Sequence, residues 1–207
     1  QNPVHVFTDT GSYTIALIAT DTSGCTAFKE LEQKINIHPS PEAAFTLSSY
    51  SGCQPFQTAV TNNSSGYSSL RWDFGDGNTS TSFQPAHNFP SPGQYDIILT
   101  ATNSFGCSDT AHAPVPVEVL ETPHANFSVT NQNGCPPLQA AFTDASTGTG
   151  QALWNWDFGN GTYSNVQNPN AVFSTPGNFD VTLHVTNANG CFSDPVFHSC
   201  ITTFDTL

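Results

Sequence analysis

An internal repeat built around an aromatic strand constrains this chain more than any other feature. Trp72-Asp73-Phe74-Gly75-Asp76-Gly77 returns as Trp156-Asp157-Phe158-Gly159-Asn160-Gly161. Apolar and polar residues alternate up to each Phe, which predicts strands with one buried face. Both strands are followed by residues that tolerate positive φ, so each is expected to end in a tight hairpin turn; the glycines concerned are Gly75, Gly77, Gly159 and Gly161.

The flanking residues also recur, and they divide the chain into two and a half copies. Ser23-Gly24-Cys25 returns 82 residues later as Phe105-Gly106-Cys107 and after a further 84 as Asn189-Gly190-Cys191. We therefore expect residues 1–40 to be the second half of a copy whose Trp strand lies upstream, and residues 41–122 and 123–207 to be complete copies. Alone, the half copy would have unpaired strand edges and too little core.

Each complete copy contains short apolar runs separated by turn residues. In the first copy the predicted strands cover residues 44–48, 56–60, 70–74, 79–83, 95–102 and 115–119. Pro114 and Pro116 remove two backbone donors, so the last strand is expected to be an edge or to leave the sheet early. About seven short strands in roughly 80 residues, with no helical period, predict an all-β fold of immunoglobulin-like sandwiches. Short proline-bearing joints favour an elongated string.

Composition restricts the classes of partner. Three Lys and Arg against sixteen Asp and Glu give a net charge of -13, which repels phosphate backbones and anionic headgroups. Nucleic acid binding and direct membrane insertion are therefore not expected. Charged residues make up only 9%, and six cysteines lie at repeated spacings, which is typical of an exported, disulfide-bonded protein. With no Met and no signal peptide, the sequence is expected to be an internal or processed piece.

The repeated motifs resemble the PKD domain family over the whole chain. WDFGDG, a following xxP, the PGxY/F strand opening and the TxTNxxGC ending occur in family order, although Gly159-Asn160-Gly161 departs from GDG. The paired cysteines, as in Gly52-Cys53 with Gly106-Cys107, are similar to PKD repeats of very large Bacteroidota surface proteins, including gliding-motility adhesins exported by the type IX pathway. The resemblance implies PKD-type sandwiches and an extracellular, cell-surface setting.

Three functions remain open at this point. The leading hypothesis is a non-catalytic stalk segment of a cell-surface adhesin, whose partners are neighbouring repeats of the same chain and a surface polysaccharide or a host or substratum protein. The alternative is an accessory module of a secreted hydrolase that positions a polysaccharide or protein substrate. An enzyme within these residues is disfavoured, because no GxSxG elbow occurs and none of the seven histidines lies in an HxH or HExxH context.

The turns after the Trp strands carry the candidate metal ligands. Asp73, Asp76, Asp157 and Asn160 could supply oxygen ligands to Ca²⁺, since hard cations need several of them. The favoured interpretation is that these side chains accept hydrogen bonds from turn amides, because Asn160 stands where the first copy has a carboxylate. No other cofactor is expected.

The cysteines predict one disulfide in each complete copy. Cys53–Cys107 and Cys135–Cys191 have the same place in their copies, early loop to the end of the long strand, and each would close a loop of about 55 residues. Cys25 holds the position of Cys107, so its partner is expected upstream. Cys200 has no counterpart.

Two threonines are candidate O-glycosylation sites. Thr110 and Thr206 lie in Asp-Thr-apolar sequences, which resemble the acceptor pattern of Bacteroidota exported proteins. Asn63, Asn78, Asn126 and Asn160 lie in N-x-S/T sequons, which matter only in a host with that machinery.

Overall fold

A computed structural model describes residues 2–148, 150–193 and 195–205, which form strands and no helix. Before the first complete copy the strands are β1 (Gly11–Tyr13), β2 (Ala16–Thr20), β3 (Thr26–Glu30) and β4 (Ile35–Ile37). The first complete copy contains β5 (Phe45–Leu47), β6 (Ser51–Cys53), β7 (Phe56–Asn62), β8 (Ser69–Asp73), β9 (Thr79–Ser80), β10 (Ala86–Phe89), β11 (Gly93–Tyr95), β12 (Ile98–Thr102), β13 (Ser108–His112) and β14 (Val117–Leu120). The second contains β15 (Phe127–Val129), β16 (Asn133–Gly134), β17 (Leu138–Asp144), β18 (Gln151–Asp157), β19 (Tyr163–Ser164), β20 (Asn170–Phe173), β21 (Gly177–Asn187), β22 (Phe192–Ser193) and β23 (Val196–Thr203).

Spatial proximity groups the chain into two compact units whose limits differ from those of the sequence copies. One unit comprises Gln1–Ser48, Ala59–Ala86 and Tyr95–Pro116. The other comprises Ser49–Thr58, His87–Gln94 and Val117–Leu207. Two segments of the first copy, Ser49–Thr58 and His87–Gln94, thus belong to the same unit as the second copy.

In the first copy the Trp strand is an inner strand of a four-stranded sheet with the order β13-β12-β8-β9. Its neighbour β12 is antiparallel and places Leu99 opposite Trp72. The remaining strands form the three-stranded sheets β10-β7-β5 and β11-β14-β6, and β14 runs parallel to β6. The predicted hairpin is confirmed, because β8 pairs with β9 and the Phe74 N–H donates to the Asn78 oxygen at 3.1 Å.

The second copy repeats this arrangement with fuller pairing. Its Trp strand, β18, lies between β19 and the long strand β21 in a sheet with the order β16-β23-β21-β18-β19, and β22 also pairs with β21. A three-stranded sheet, β15-β17-β20, carries the facing apolar residues. The hairpin is again present, with the Phe158 N–H 3.2 Å from the Thr162 oxygen.

The core of the second copy lies between these two sheets. Phe127 and Phe142 from the three-stranded sheet contact Trp156, with ring centroids 5.1 and 5.5 Å apart. Val181, Leu183 and Val185 alternate along β21 and are fully buried, as period-2 patterning requires. Burial of such apolar faces is the main stabilising contribution to a sandwich of this size. The predicted all-β immunoglobulin-like sandwich is therefore confirmed.

Each central Trp also satisfies its polar atom. The indole N–H of Trp72 donates to the Ser82 backbone oxygen at 2.9 Å, and that of Trp156 donates to Val166 at the same distance. Both acceptors follow the hairpin return strand. A buried indole needs such a partner, because an unpaired polar group in a core costs about 1–3 kcal/mol.

The first segment has the strands of a half copy but not its burial. Leu17 on β2 corresponds to Leu99 on β12, yet Leu17 is 66% exposed whereas Leu99 is 0% exposed. The difference follows from pairing: β2 pairs only with β3, while β12 also pairs with the Trp strand β8. This agrees with the expectation that the segment has too little core of its own.

Several predicted strand boundaries differ from those observed. The return strand expected over 79–83 is only Thr79–Ser80, and the strand expected over 95–102 is divided into β11 and β12. The last strand was expected to be an edge or to leave the sheet early. The first alternative is wrong, because β14 lies between β11 and β6. It begins at Val117, after both Pro114 and Pro116, so the prolines remove no donor from its ladder. β6, β10 and β13 are short and were not predicted.

Candidate functional site

The turns after the Trp strands are closed by short side-chain hydrogen bonds. Asp73 accepts from the Gly75 N–H at 3.0 Å, and Asp157 accepts from the Gly159 N–H at 2.9 Å. An Asp that accepts from the amide two residues on forms an Asx turn, which stabilises the local reversal of the chain. The favoured interpretation of these aspartates as turn-forming groups is confirmed.

The second polar residue of each turn differs between the copies. Asp76 accepts from the backbone N–H and from the side-chain amide of Asn78, both at 2.9 Å. Asn160 accepts from the Thr162 N–H at 2.9 Å and donates its own amide to the Val172 oxygen at 3.0 Å. A carboxylate could not make this donation. The departure from GDG therefore has a structural reason, a bond from the turn to β20.

The four predicted calcium ligands, Asp73, Asp76, Asp157 and Asn160, make hydrogen bonds within their own turns. In the part of the chain that the structure describes, no group of three or more His, Cys, Asp or Glu side chains could hold a metal ion. Calcium binding at these turns stays a prediction, and the hydrogen bonds give it no support.

Glycine is favoured at both glycine positions of each turn, but for different physical reasons. Gly75 has φ +78° and Gly77 has φ +90°, both in the left-handed region. A Cβ on Gly75 would lie 2.7 Å from the Asp96 oxygen, whereas one on Gly77 would meet nothing within 4 Å. Gly159 is likewise packed against Asp180 and Gly161 is open. The first glycine of each turn is therefore required by space as well as by φ.

The predicted disulfides Cys53–Cys107 and Cys135–Cys191 are wrong. Cys53 is bonded instead to Cys191, with a Cα–Cα distance of 5.6 Å, and Cys107 and Cys135 are free thiols. The reason lies in where each cysteine is held. Cys53 on β6 lies opposite Leu120 on the parallel strand β14. Leu120 is the last residue of that strand, which is the last strand of the first copy. Cys107 lies in a loop whose Asn103 is bonded to Pro39, before that copy's first strand. Cys53 is thus held beside the last strand of its copy, whereas Cys107 is held beside residues that precede the first strand.

Cys25 and Cys200 are also free thiols, and they differ in environment. Cys25 is exposed. Cys200 packs against the core of the second copy, and burial raises the pKa of its thiol above the ordinary value. A raised pKa keeps Cys200 protonated and therefore poorly reactive at neutral pH.

Two asparagines that hold the loops containing Cys107 and Cys191 were not predicted from the sequence. Asn187 accepts from the N–H groups of Asn189 and Cys191 at 3.0 and 2.9 Å, and its amide donates to the Glu121 oxygen at 2.7 Å. Asn103 makes the corresponding bonds in the first copy. Their signal was the Asn of the TNxxGC ending, which recurs in both complete copies.

The surroundings of Asp144 shift the pKa of its carboxyl group. Burial by itself raises the pKa of Asp144, but hydrogen bonds from Ser146, Gln167 and Trp154 outweigh it and hold the pKa below the ordinary value. The Trp154 indole and the Gln167 amide both donate to Oδ2, at 2.8 and 3.0 Å. These donors favour the charged form. Asp144 thus ties β17 to β18 through an ionised carboxylate.

The candidate glycosylation sites differ in what the structure says of them. Thr110 is exposed on β13, an edge strand. Thr206 lies outside the described residues. The sequon residues Asn63, Asn78 and Asn126 are exposed, while Asn160 is half-buried. Modification at these positions stays a prediction.

No helix among the described residues has the length and hydropathy needed to cross a membrane.

Comparison with known proteins gives a consistent family. The PKD domain profile matches residues 36–119 and 120–197. A microbial collagenase of Vibrio alginolyticus is 33% identical over 97 residues, covering 45% of this chain and 12% of that protein. The pre-pro-metalloprotease PrtV of Vibrio cholerae is 29% identical over 124 residues, covering 59% of this chain and 13% of that protein. The chain therefore spans about an eighth of the length of these relatives.

The chain is also similar to solved structures of single PKD domains. The PKD1 domain of the Vibrio cholerae metalloprotease PrtV is 32% identical, with a TM-score of 0.34, and covers 39% of this chain and 99% of that one. The PKD1 domain of Vibrio anguillarum Epp is 29% identical, with the same TM-score, and covers 39% and 96%. Because the PKD profile matches more than half of the residues, the chain belongs to the PKD domain family as a tandem pair of PKD domains.

Proposed function

We propose that the chain is a non-catalytic accessory segment of an extracellular hydrolase, where it helps to position a protein or polysaccharide substrate. The observation that carries this is the pair of relatives: a microbial collagenase and a metalloprotease share these PKD sequences at 33% and 29% identity. The similarity covers only 12% and 13% of those proteins, so it leaves most of each outside the match. Catalysis by the parent protein would come from outside the present residues.

An extracellular location is supported by the disulfide. A disulfide such as Cys53–Cys191 is not maintained in reducing compartments, whereas disulfides of secreted proteins persist in oxidising surroundings. The low charged fraction of 9% and the net charge of -13 also give a surface that stays solvated without attracting anionic partners.

The exposed hairpin of the second copy is the surface to test for substrate contact. Tyr163 begins the return strand β19 and is 72% exposed. In the first copy the return strand begins with the exposed Thr79. Exposed aromatic rings stack on sugar and peptide surfaces, and Thr lacks that ability. The two hairpins therefore provide a matched pair of positions.

Binding of the purified chain to insoluble collagen and to crystalline polysaccharide tests the proposal. We expect saturable binding to one of the two, weakened several-fold by Tyr163→Ala and unchanged by Thr79→Ala, and no hydrolysis of either. Measurable hydrolysis would contradict the non-catalytic assignment. Failure to bind either material would contradict the accessory role.

The second candidate is a stalk segment of a large cell-surface adhesin that serves in adhesion or gliding motility after type IX export. The specific observation in its favour is that Cys53 and Cys191 belong to different copies, so a covalent bond joins successive PKD sequences. Such a bond suits a chain that carries load outside the cell. In this role the partners would be neighbouring repeats and a surface polysaccharide or a substratum protein.

Small-angle scattering distinguishes the stalk from a compact module. A stalk requires an elongated profile, as the short proline-bearing joints predict. A globular profile of the oxidised chain would contradict the stalk, while the substrate-binding experiment would be unaffected.

A further inference from the structure

The bond between Cys53 and Cys191 joins two cysteines of different copies. The two cysteines also occupy different places within their copies. Cys53 lies in the first family match, 36–119, and Cys191 in the second, 120–197. Cys53 is the early cysteine of its copy and Cys191 is the late cysteine of the next. Each complete copy has one early and one late cysteine. The chain therefore contains a second early cysteine, Cys135, and a second late cysteine, Cys107.

The early cysteines have the same structural place. Cys53 ends β6, which runs parallel to the last strand of its copy and aligns Gly52 with Val119. In the second copy β16 runs parallel to the last strand and aligns Gly134 with Thr203, so that Cys135 follows at the same position. A Cβ on Gly134 would lie 2.8 Å from the Leu138 side chain, and one on Gly52 would overlap the Phe56 ring. Cys135 is exposed.

The late cysteines also share one loop geometry. The side-chain oxygen of Asn103 accepts from the Cys107 N–H at 3.0 Å, as that of Asn187 does from the Cys191 N–H at 2.9 Å. The amide of each Asn then donates at 2.7 Å to a backbone oxygen that precedes its own copy, Pro39 or Glu121. The loop of Cys107 is therefore bonded to a residue that precedes the first complete copy. The loop of Cys191 is bonded in the same way to a residue that precedes the second copy.

We propose that Cys53–Cys191 is one example of a repeating link, in which the early cysteine of each PKD copy bonds to the late cysteine of the copy that follows. Cys135 then takes the late cysteine of a following copy, and Cys107 takes the early cysteine of a preceding one. The partner is a PKD domain with a cysteine in the matching place. Two thiols lose two protons and two electrons to a disulfide oxidant, which becomes a dithiol as the new bond forms.

The same geometry explains why Cys107 and Cys135 are free thiols. Within the described chain, the bonded pair is the one early–late pair of successive complete copies. Cys200 has no counterpart in the first copy, so it lies outside this scheme.

The test is the whole chain extended after Leu207 by a second copy of its residues 123–207, oxidised during refolding and analysed by non-reducing peptide mapping. We expect Cys135 bonded to the appended cysteine that corresponds to Cys191, with Cys53–Cys191 retained. Free Cys135, or Cys135 bonded to Cys191, would overturn the proposal.

Two matched variants keep the result interpretable. Cys135→Ser in the extended chain should leave the appended late cysteine titratable by a thiol reagent and Cys53–Cys191 intact. Cys200→Ala should leave both links unchanged. If Cys135→Ser leaves the appended late cysteine bonded elsewhere while the chain remains folded by circular dichroism, the repeating link is wrong.

Discussion

The side-chain amide of Asn187 donates to the Glu121 backbone oxygen at 2.7 Å, across 66 residues of sequence. The same side chain accepts from the amides of Asn189 and Cys191 through its oxygen. One residue therefore organises the loop that presents the late cysteine and fixes that loop to the residues before its copy. Asn103 repeats the arrangement with Pro39.

Replacing this residue should be costly. Asn187→Ala removes three hydrogen bonds at a buried position, and we expect a loss of about 2–4 kcal/mol in the free energy of unfolding, because buried groups lose their partners. Urea unfolding followed by Trp fluorescence measures it. Asn189→Ala, at an exposed position of the same loop, should change stability by less than about 0.5 kcal/mol. Equal effects of the two variants would contradict the role assigned to Asn187.

The central indole should be sensitive to replacement by a smaller ring. Trp72→Phe leaves the Ser82 oxygen without its donor and opens a cavity beside Phe45, whose ring centroid is 5.2 Å from that of Trp72. We expect a loss of about 2–4 kcal/mol, from the unpaired acceptor and the cavity together. Thermal unfolding by circular dichroism measures it, with the exposed Tyr163→Phe as the control. An unchanged Tm for Trp72→Phe would show that the hydrogen bond and the packing do not limit stability.

The two glycines of one turn should respond differently to the same substitution. Gly75→Ala adds a clash with the Asp96 oxygen to the cost of a left-handed φ, whereas Gly77→Ala adds only the latter. We expect Gly77→Ala to cost about 1–2 kcal/mol and Gly75→Ala to cost more than that. The difference in denaturation midpoint between the variants is the measurement. A larger loss at Gly77 would contradict the close approach at Gly75.

Asp144 should make stability depend on pH. Because hydrogen bonds lower its pKa in the folded state, its contribution is present above the ordinary value of 3.8 and is lost as the pH falls through the folded value. Asp144→Asn should therefore lower Tm at neutral pH, and the gap from the unmodified chain should narrow below about pH 3.8. Glu118→Gln removes an exposed carboxylate and controls for the change in net charge. A gap that stays constant down to about pH 2 would contradict the assignment.

The half copy should contribute little to stability, apart from its final residues. A chain beginning at residue 36 loses β1, β2 and β3, of which β2 and β3 are exposed throughout, and should keep the Tm of the full chain. A chain beginning at residue 41 also loses the Pro39 acceptor of Asn103 and the stacking of His38 on Phe105, whose centroids lie 3.6 Å apart. We expect this second chain to be about 1–3 kcal/mol less stable. An equal Tm for both truncations would contradict the role of Pro39.

The local features of this protein were predictable because they depend on residues close in sequence. Alternation of apolar residues around Trp72 and Trp156 identified the buried faces, and Gly-rich segments identified the hairpins. The repeat then extended these assignments from one copy to the next. Short polar strands such as β13, Ser108–His112, were missed because they have no apolar alternation and exist only through pairing with β12.

By itself the sequence determined the all-β class, the repeat, the aromatic core and the Asx turns. Only the tertiary structure decided that Cys53 meets Cys191 and that Pro114 and Pro116 lie outside the last strand. It also showed that Asn103 and Asn187 hold the late loops. The physical reason is that a strand's buried face follows from a period of two residues, whereas a disulfide forms wherever folding brings two Cα atoms within about 7 Å, at any separation along the chain.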